Sequence, residues 1–102
     1  MPEKTEKKEG FPEASFSSLV LMLATGGLQN LGLIPNPLSK KVEKNIPLAR
    51  HTIDTLGILK KKTQGNLQGE EEKLIDELLY DLQMKYVKIS EEQGKSDKSL
   101  NG

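Results

Sequence analysis

The sequence predicts an all-α protein: a small three-helix unit flanked by charged N- and C-terminal tails that read as disordered. Three observations lead there. Apolar residues recur at helical spacing in three separate segments, residues suited to start and stop a helix stand at the ends of those segments, and no run alternates as a half-buried strand would. The chain of 102 residues is long enough for one domain and too short for two.

Met1 to Ala14 is built of Lys, Glu, Pro and Gly around Phe11, and residues 90–102 carry only Leu100 as a large apolar side chain. Neither stretch can bury enough to offset the entropy of ordering it, so residues 1–14 and 90–102 are expected to be tails around a helical domain at 15–89.

The first helix is expected over about residues 16–31, capped by Ser15 or a neighbouring serine and stopped by Gly32, with Pro35 and Pro37 beyond. The second is expected over about 46–63. Asn45 is a good N-cap, Pro47 is tolerated in the first turn, and Gly65 is placed to end it in the left-handed conformation. The third opens near Gly69 with Glu70, Glu71 and Glu72 and is expected to run to about Ile89. Lys60, Lys61 and Lys62 close the second helix as the three glutamates open the third, each sign favourable against the helix dipole at its end.

The third helix carries one broad apolar stripe, Leu74, Ile75, Leu78, Leu79, Leu82, Tyr86 and Ile89, which reads as its core face. A narrower line of Tyr80, Met84 and Val87 lies almost opposite. A surface helix ordinarily has one apolar stripe, and leaving such side chains in water forgoes on the order of 1.5–3 kcal/mol each.

The first helix makes the point more strongly, since from Ala14 to Ser39 no residue is charged. Phe16, Val20, Leu21, Leu23, Ala24, Leu28 and Leu31 cover over half its circumference, and Leu19 and Met22 extend that surface. Such a helix is expected to be surrounded, and two other short helices cover only part of it. The second helix is more ordinary: Ala49, Ile53 and Leu56 face inward, Leu48 and Leu59 stand at the edges, and Arg50, Asp54 and Lys61 lie outside. Gly57 costs about 1 kcal/mol against Ala in a helix and is read as admitting a close neighbour. The pair Gly26-Gly27 invites the same reading, or a kink.

Several function classes find little support. Acidic and basic residues balance, so no large net field steers the chain to nucleic acid or an acidic membrane. There is no Trp, and the four aromatics make a poor platform for stacked bases. Without cysteine there is no disulfide framework or thiolate chemistry, and one histidine alone cannot make an ordinary zinc site. Phosphate-loop spacing is missing around Gly26-Gly27 and Gly65-Asn66. No catalytic residue and no cofactor are expected.

His51, with Asp54 and Thr55 one turn away, is the remote basis for an enzyme; a solvated or half-buried helix histidine is the simpler reading. Phe16 to Ile34 has the length of a membrane span, but Ser17, Ser18, Thr25, Gln29 and Asn30 make it too polar, and no span is expected. Met1 to Glu13 mixes lysines with glutamates, unlike a secretory signal, which together with the missing cysteines points to the cytoplasm.

A set of segments in order carries a family resemblance: Leu33-Ile34-Pro35-Asn36-Pro37, Thr52-Ile53-Asp54-Thr55-Leu56-Gly57-Ile58-Leu59, Lys62-Thr63-Gln64-Gly65-Asn66-Leu67, Glu70-Glu71-Glu72-Lys73-Leu74 and Leu78-Leu79-Tyr80-Asp81-Leu82-Gln83-Met84-Lys85-Tyr86-Val87. With these the chain resembles a bacterial family known only as a domain of unknown function, family 1844, from the first helix through the third. The resemblance implies a bacterial, intracellular, helical protein and carries no activity or site residue with it. The pair Gly26-Gly27 departs from it, a larger helix former being expected there.

The favoured expectation is a non-enzymatic protein that self-associates, a dimer first of all, or binds another protein. At this size a folded monomer buries only about 60% of the surface its unfolded chain exposes, and association adds to that. The expected interface is Val20, Leu23, Tyr80, Met84 and Val87. The alternative is an RNA- or ribosome-associated regulator that uses a basic patch of Lys40, Lys41 and Lys44, in the loop after the first helix.

Overall fold

The computed structural model describes the backbone of residues 13–101 and the side chains of residues 13–93. Among the described residues there are three helices and no strand: α1 (Phe16–Asn30), α2 (Ile46–Lys62) and α3 (Gly69–Asn101). Every pair of them is in contact, so the core is shared by all three.

The helix ends follow from local chemistry. At the start of α1 the Ser15 hydroxyl accepts from the Ser18 amide and the Ser18 hydroxyl accepts from the Ser15 amide, each at 3.0 Å. This reciprocal box satisfies two amides that the first turn would leave without partners. At the other end Gly32 takes φ +81°, its amide donating to the Gln29 carbonyl at 3.0 Å while Leu33 donates to the Leu28 carbonyl at 3.0 Å. The left-handed turn costs glycine little, which is why the helix stops there. Asn45 caps α2, its side-chain oxygen accepting from the Leu48 amide at 3.2 Å, and Pro47 sits in the first turn. Gly65, at φ +83°, follows the end of α2 in the left-handed conformation expected of it. The Glu71 carboxylate reaches back to the Gln68 amide at 2.8 Å and opens α3.

The connection between α1 and α2 is a tied loop. Its ends meet where the Asn45 amide donates to the Asn30 carbonyl at 2.7 Å. Inside it, the Asn36 side-chain oxygen accepts from the Leu38 amide at 2.8 Å, and the Asn36 and Lys40 backbones are joined at 2.7 Å. Lys40 takes φ +63°, an unusual conformation for a residue with a Cβ, as the loop turns back toward α2.

The core consists of Val20, Ala24 and Leu31 on α1 and its cap, Ala49, Ile53 and Leu56 on α2, and Ile75, Leu79 and Leu82 on α3. Leu74, Leu78, Tyr86 and Ile89 pack against it, so the broad stripe of α3 is its core face. The inward face of α2 is Ala49, Ile53 and Leu56, with Leu59 at its edge, as their spacing predicts. Gly27 is where the helices come closest. A Cβ there would meet Leu82 Cδ2 at 3.3 Å and the Thr52 methyl at 3.6 Å, so the missing side chain lets α1 settle onto α2 and α3.

Three expectations need correction. Gly57 and Gly26 admit no close neighbour: a Cβ on either would find nothing within 4 Å, because each points away from the packed faces. α3 does not end near Ile89 but continues through Asn101, into the stretch expected as a C-terminal tail. Residues 90–101 contain no proline and a single glycine, Gly94, and extending an existing helix needs no new nucleus and no apolar face. Val20, expected at an interface, is part of the core. Of the expected N-terminal tail, residues 1–12 lie outside the described residues, and Glu13 and Ala14 precede α1 without regular structure.

Candidate functional site

The core uses up one side of α1. Val20, Ala24, Gly27 and Leu31 recur at helical spacing and turn inward, which leaves the opposite side to solvent. Along that side Ser15, Ser18, Met22, Thr25, Gly26 and Gln29 form one shallow furrow on the helix surface, open to solvent and bordered by Leu19 and Leu21. Met22 is 65% exposed and Leu21 48%. The groove carries no charge along its length, because no residue between Ala14 and Ser39 is charged. The Ser18 hydroxyl is already occupied, donating to the Ser15 carbonyl at 3.0 Å, and this reduces what polarity the groove has.

A second apolar surface lies on α3. Tyr80 is 66% exposed, Met84 53% and Val87 49%, on the side away from Leu79 and Leu82. Asp81 and Lys85, which pair with each other one turn apart, stand beside this line. The α3 members of the expected interface are therefore free surface. On α1 the outcome is different: Val20 is 0% exposed and Leu23 is half-buried against the core, while Leu19, Leu21 and Met22 are the exposed residues. The reason is geometric. With apolar residues around most of its circumference, α1 does not announce which arc is core. The structure settles it at Gly27: of the two adjacent glycines it is the one on the arc of Val20, Ala24 and Leu31, and its missing side chain lets that arc come close to Leu82 and Thr52. A glycine at the centre of Val20, Ala24 and Leu31 is a signal that was present in the sequence.

Around His51, Asp54 and Thr55 each face another partner. His51 is exposed. The Thr55 hydroxyl donates to the His51 backbone carbonyl at 2.8 Å, and Asp54 lies 3.8 Å from the Arg50 guanidinium. Both neighbours that could orient the imidazole are thus turned to other partners.

Lys40, Lys41 and Lys44 are all exposed in the tied loop. Glu43 stands among them, its carboxylate accepting from the Asn36 side-chain amide at 3.3 Å, and the aliphatic stem of Lys44 lies over Gly32. At the end of α2, Lys60 is engaged with Asp76 of α3 at 2.8 Å. The contact joins the end of α2 to the first turns of α3.

No helix among the described residues is long and apolar enough to cross a membrane. No curated protein and no solved structure matches the chain. One family model does match it, over residues 13–88, a span that takes in all of α1 and α2 and α3 as far as Lys88. The chain therefore belongs to the family described as a domain of unknown function (DUF1844).

Proposed function

We propose that this protein is a non-enzymatic helical interaction module that self-associates, with the outer side of α1 as its first contact and the Tyr80, Met84 and Val87 line of α3 as its second. The observation that carries this reading is the outer face of α1: Met22, Leu21 and Leu19 lie exposed on a helix face that carries small polar residues but no charge, on a chain of which 29% is charged. Exposed apolar side chains gathered on one uncharged face are the kind of surface on which proteins associate. Met22, Leu21 and Leu19 would each gain on the order of 1 kcal/mol by losing the water they still meet. The non-enzymatic part is supported by His51, whose neighbours Asp54 and Thr55 are engaged elsewhere.

Sedimentation equilibrium at tens of micromolar tests the reading. The expected result is a mass at least twice the 11.3 kDa of one chain. Met22→Lys returns it to a single chain while the far-ultraviolet circular dichroism stays helical, because Met22 contributes nothing to the core. Met84→Lys and Tyr80→Glu remove any species larger than the dimer. A wild-type protein that sediments as one chain overturns the proposal.

A further inference from the structure

We infer that the groove of α1 is filled by α1 of a second copy running antiparallel, so that Met22 of each chain seats over Gly26 of the other. This rests on the self-association proposed above and gives it a geometry. Gly26 has open space where its Cβ would be, and Met22, the most exposed large residue of the groove, stands one turn before it. A projection and a notch four residues apart on one face fit each other when two copies meet head to tail. The notch is framed by Met22, Thr25, Gly26 and Gln29, the diamond of four residues into which a side chain of a facing helix inserts.

The occupant follows from charge and shape. A facing surface must lack charge over the length of α1, on the order of 20 Å at the helical rise, or it would bury an unpaired ion. Among the described residues one helix has such a surface, and it is α1 itself. In the head-to-tail register Ser18 faces Gln29, so the groove's polar groups meet each other twice while the apolar ones meet at the centre. A parallel pair would put Met22 on Met22 and leave the two Gly26 notches facing as a void; it would also align the helix dipoles unfavourably.

The absence of cysteine makes the test clean, since a single introduced thiol has no competitor. In the antiparallel register two Gln29→Cys thiols lie roughly 16 Å apart along the helix axis at 1.5 Å per residue, too far to join. Thr25→Cys, near the twofold axis, is expected to form a disulfide-linked dimer under mild oxidation. Gln29→Cys alone is expected to stay unlinked, and to link when mixed with Ser18→Cys. Gly26→Leu, which fills the notch at a helix position open to solvent, is expected to weaken the dimer at least tenfold with helicity retained. Linking of Gln29→Cys alone would show a parallel pair and overturn this geometry while leaving self-association standing. If the wild type has a dimer's mass and none of these thiols links, α1 is not the contact. A monomeric mass removes both proposals.

Discussion

Gly27 and Gly57 are both mid-helix glycines, and replacing each by alanine separates two physical effects that usually arrive together. Alanine is favoured over glycine in a helix by about 1 kcal/mol. At Gly57 nothing lies within 4 Å of the added methyl, so Gly57→Ala is expected to stabilise by about that amount, a rise in Tm of roughly 4–8 °C for a domain of this size. At Gly27 the same gain is opposed by packing. The methyl would lie 3.3 Å from Leu82 Cδ2, 3.5 Å from Leu82 Cδ1 and 3.6 Å from the Thr52 methyl. Leu82 is a fully buried core residue, and Thr52 has its rotamer held by a 3.0 Å hydrogen bond from its hydroxyl to the Leu48 carbonyl. Overpacking of a filled core costs about 1–3 kcal/mol. Gly27→Ala is therefore expected to be neutral to about 2 kcal/mol destabilising, once the propensity gain is set against that cost. Urea titration at several protein concentrations measures both variants and shows whether association contributes. Equal stabilisation by the two substitutions would refute the claim that Gly27 is where α1 meets Leu82 and Thr52. A destabilising Gly57→Ala would refute the open space at Gly57.

Two further outcomes follow from the same structure. Ser15→Ala removes one half of the reciprocal cap on α1 and is expected to cost about 1 kcal/mol, read as a lower urea midpoint with an unchanged slope. Leu56→Ala leaves a cavity at the centre of the core and is expected to cost about 2–5 kcal/mol; a loss below 1 kcal/mol would mean that the three helices do not share that centre.

Wherever a single residue decides an outcome, the fold was legible in the sequence. Ser15, Asn45, Gly32 and Gly65 mark helix ends because each satisfies or spares backbone groups locally, with no help from tertiary structure. The inward faces of α2 and α3 were legible because charged residues such as Arg50, Asp54 and Glu77 leave one broad apolar arc on each, wider than any other apolar line on the helix. α1 lacks that contrast. Its periodicity says that it is buried without saying on which side, so Val20 reads as surface from the sequence although the core claims it, and Met22 stands out only against the three-helix core. The far end of α3 is hidden from the sequence pattern for a different reason. Its continuation past Ile89 rests on helix propagation through residues such as Glu91, Glu92 and Gln93, and an argument from apolar burial does not register it. The line of Tyr80, Met84 and Val87 was legible from the start, because a second apolar stripe on a charged helix stands out.

The 2.7 Å hydrogen bond from the Asn45 amide to the Asn30 carbonyl fastens the exit of α1 to the entrance of α2. The angle between those helices is consequently set at the knot and by the core, not by the intervening chain. Ring-closure entropy grows slowly with length, by roughly 0.6 kcal/mol for each doubling. Leu38, 92% exposed, marks a point where a fluorescent reporter could be spliced in at the cost of the turn around Asn36, the bond between Asn45 and Asn30 being kept. Such an insertion would leave Met22 and Tyr80 untouched and give assembly a readout inside living cells.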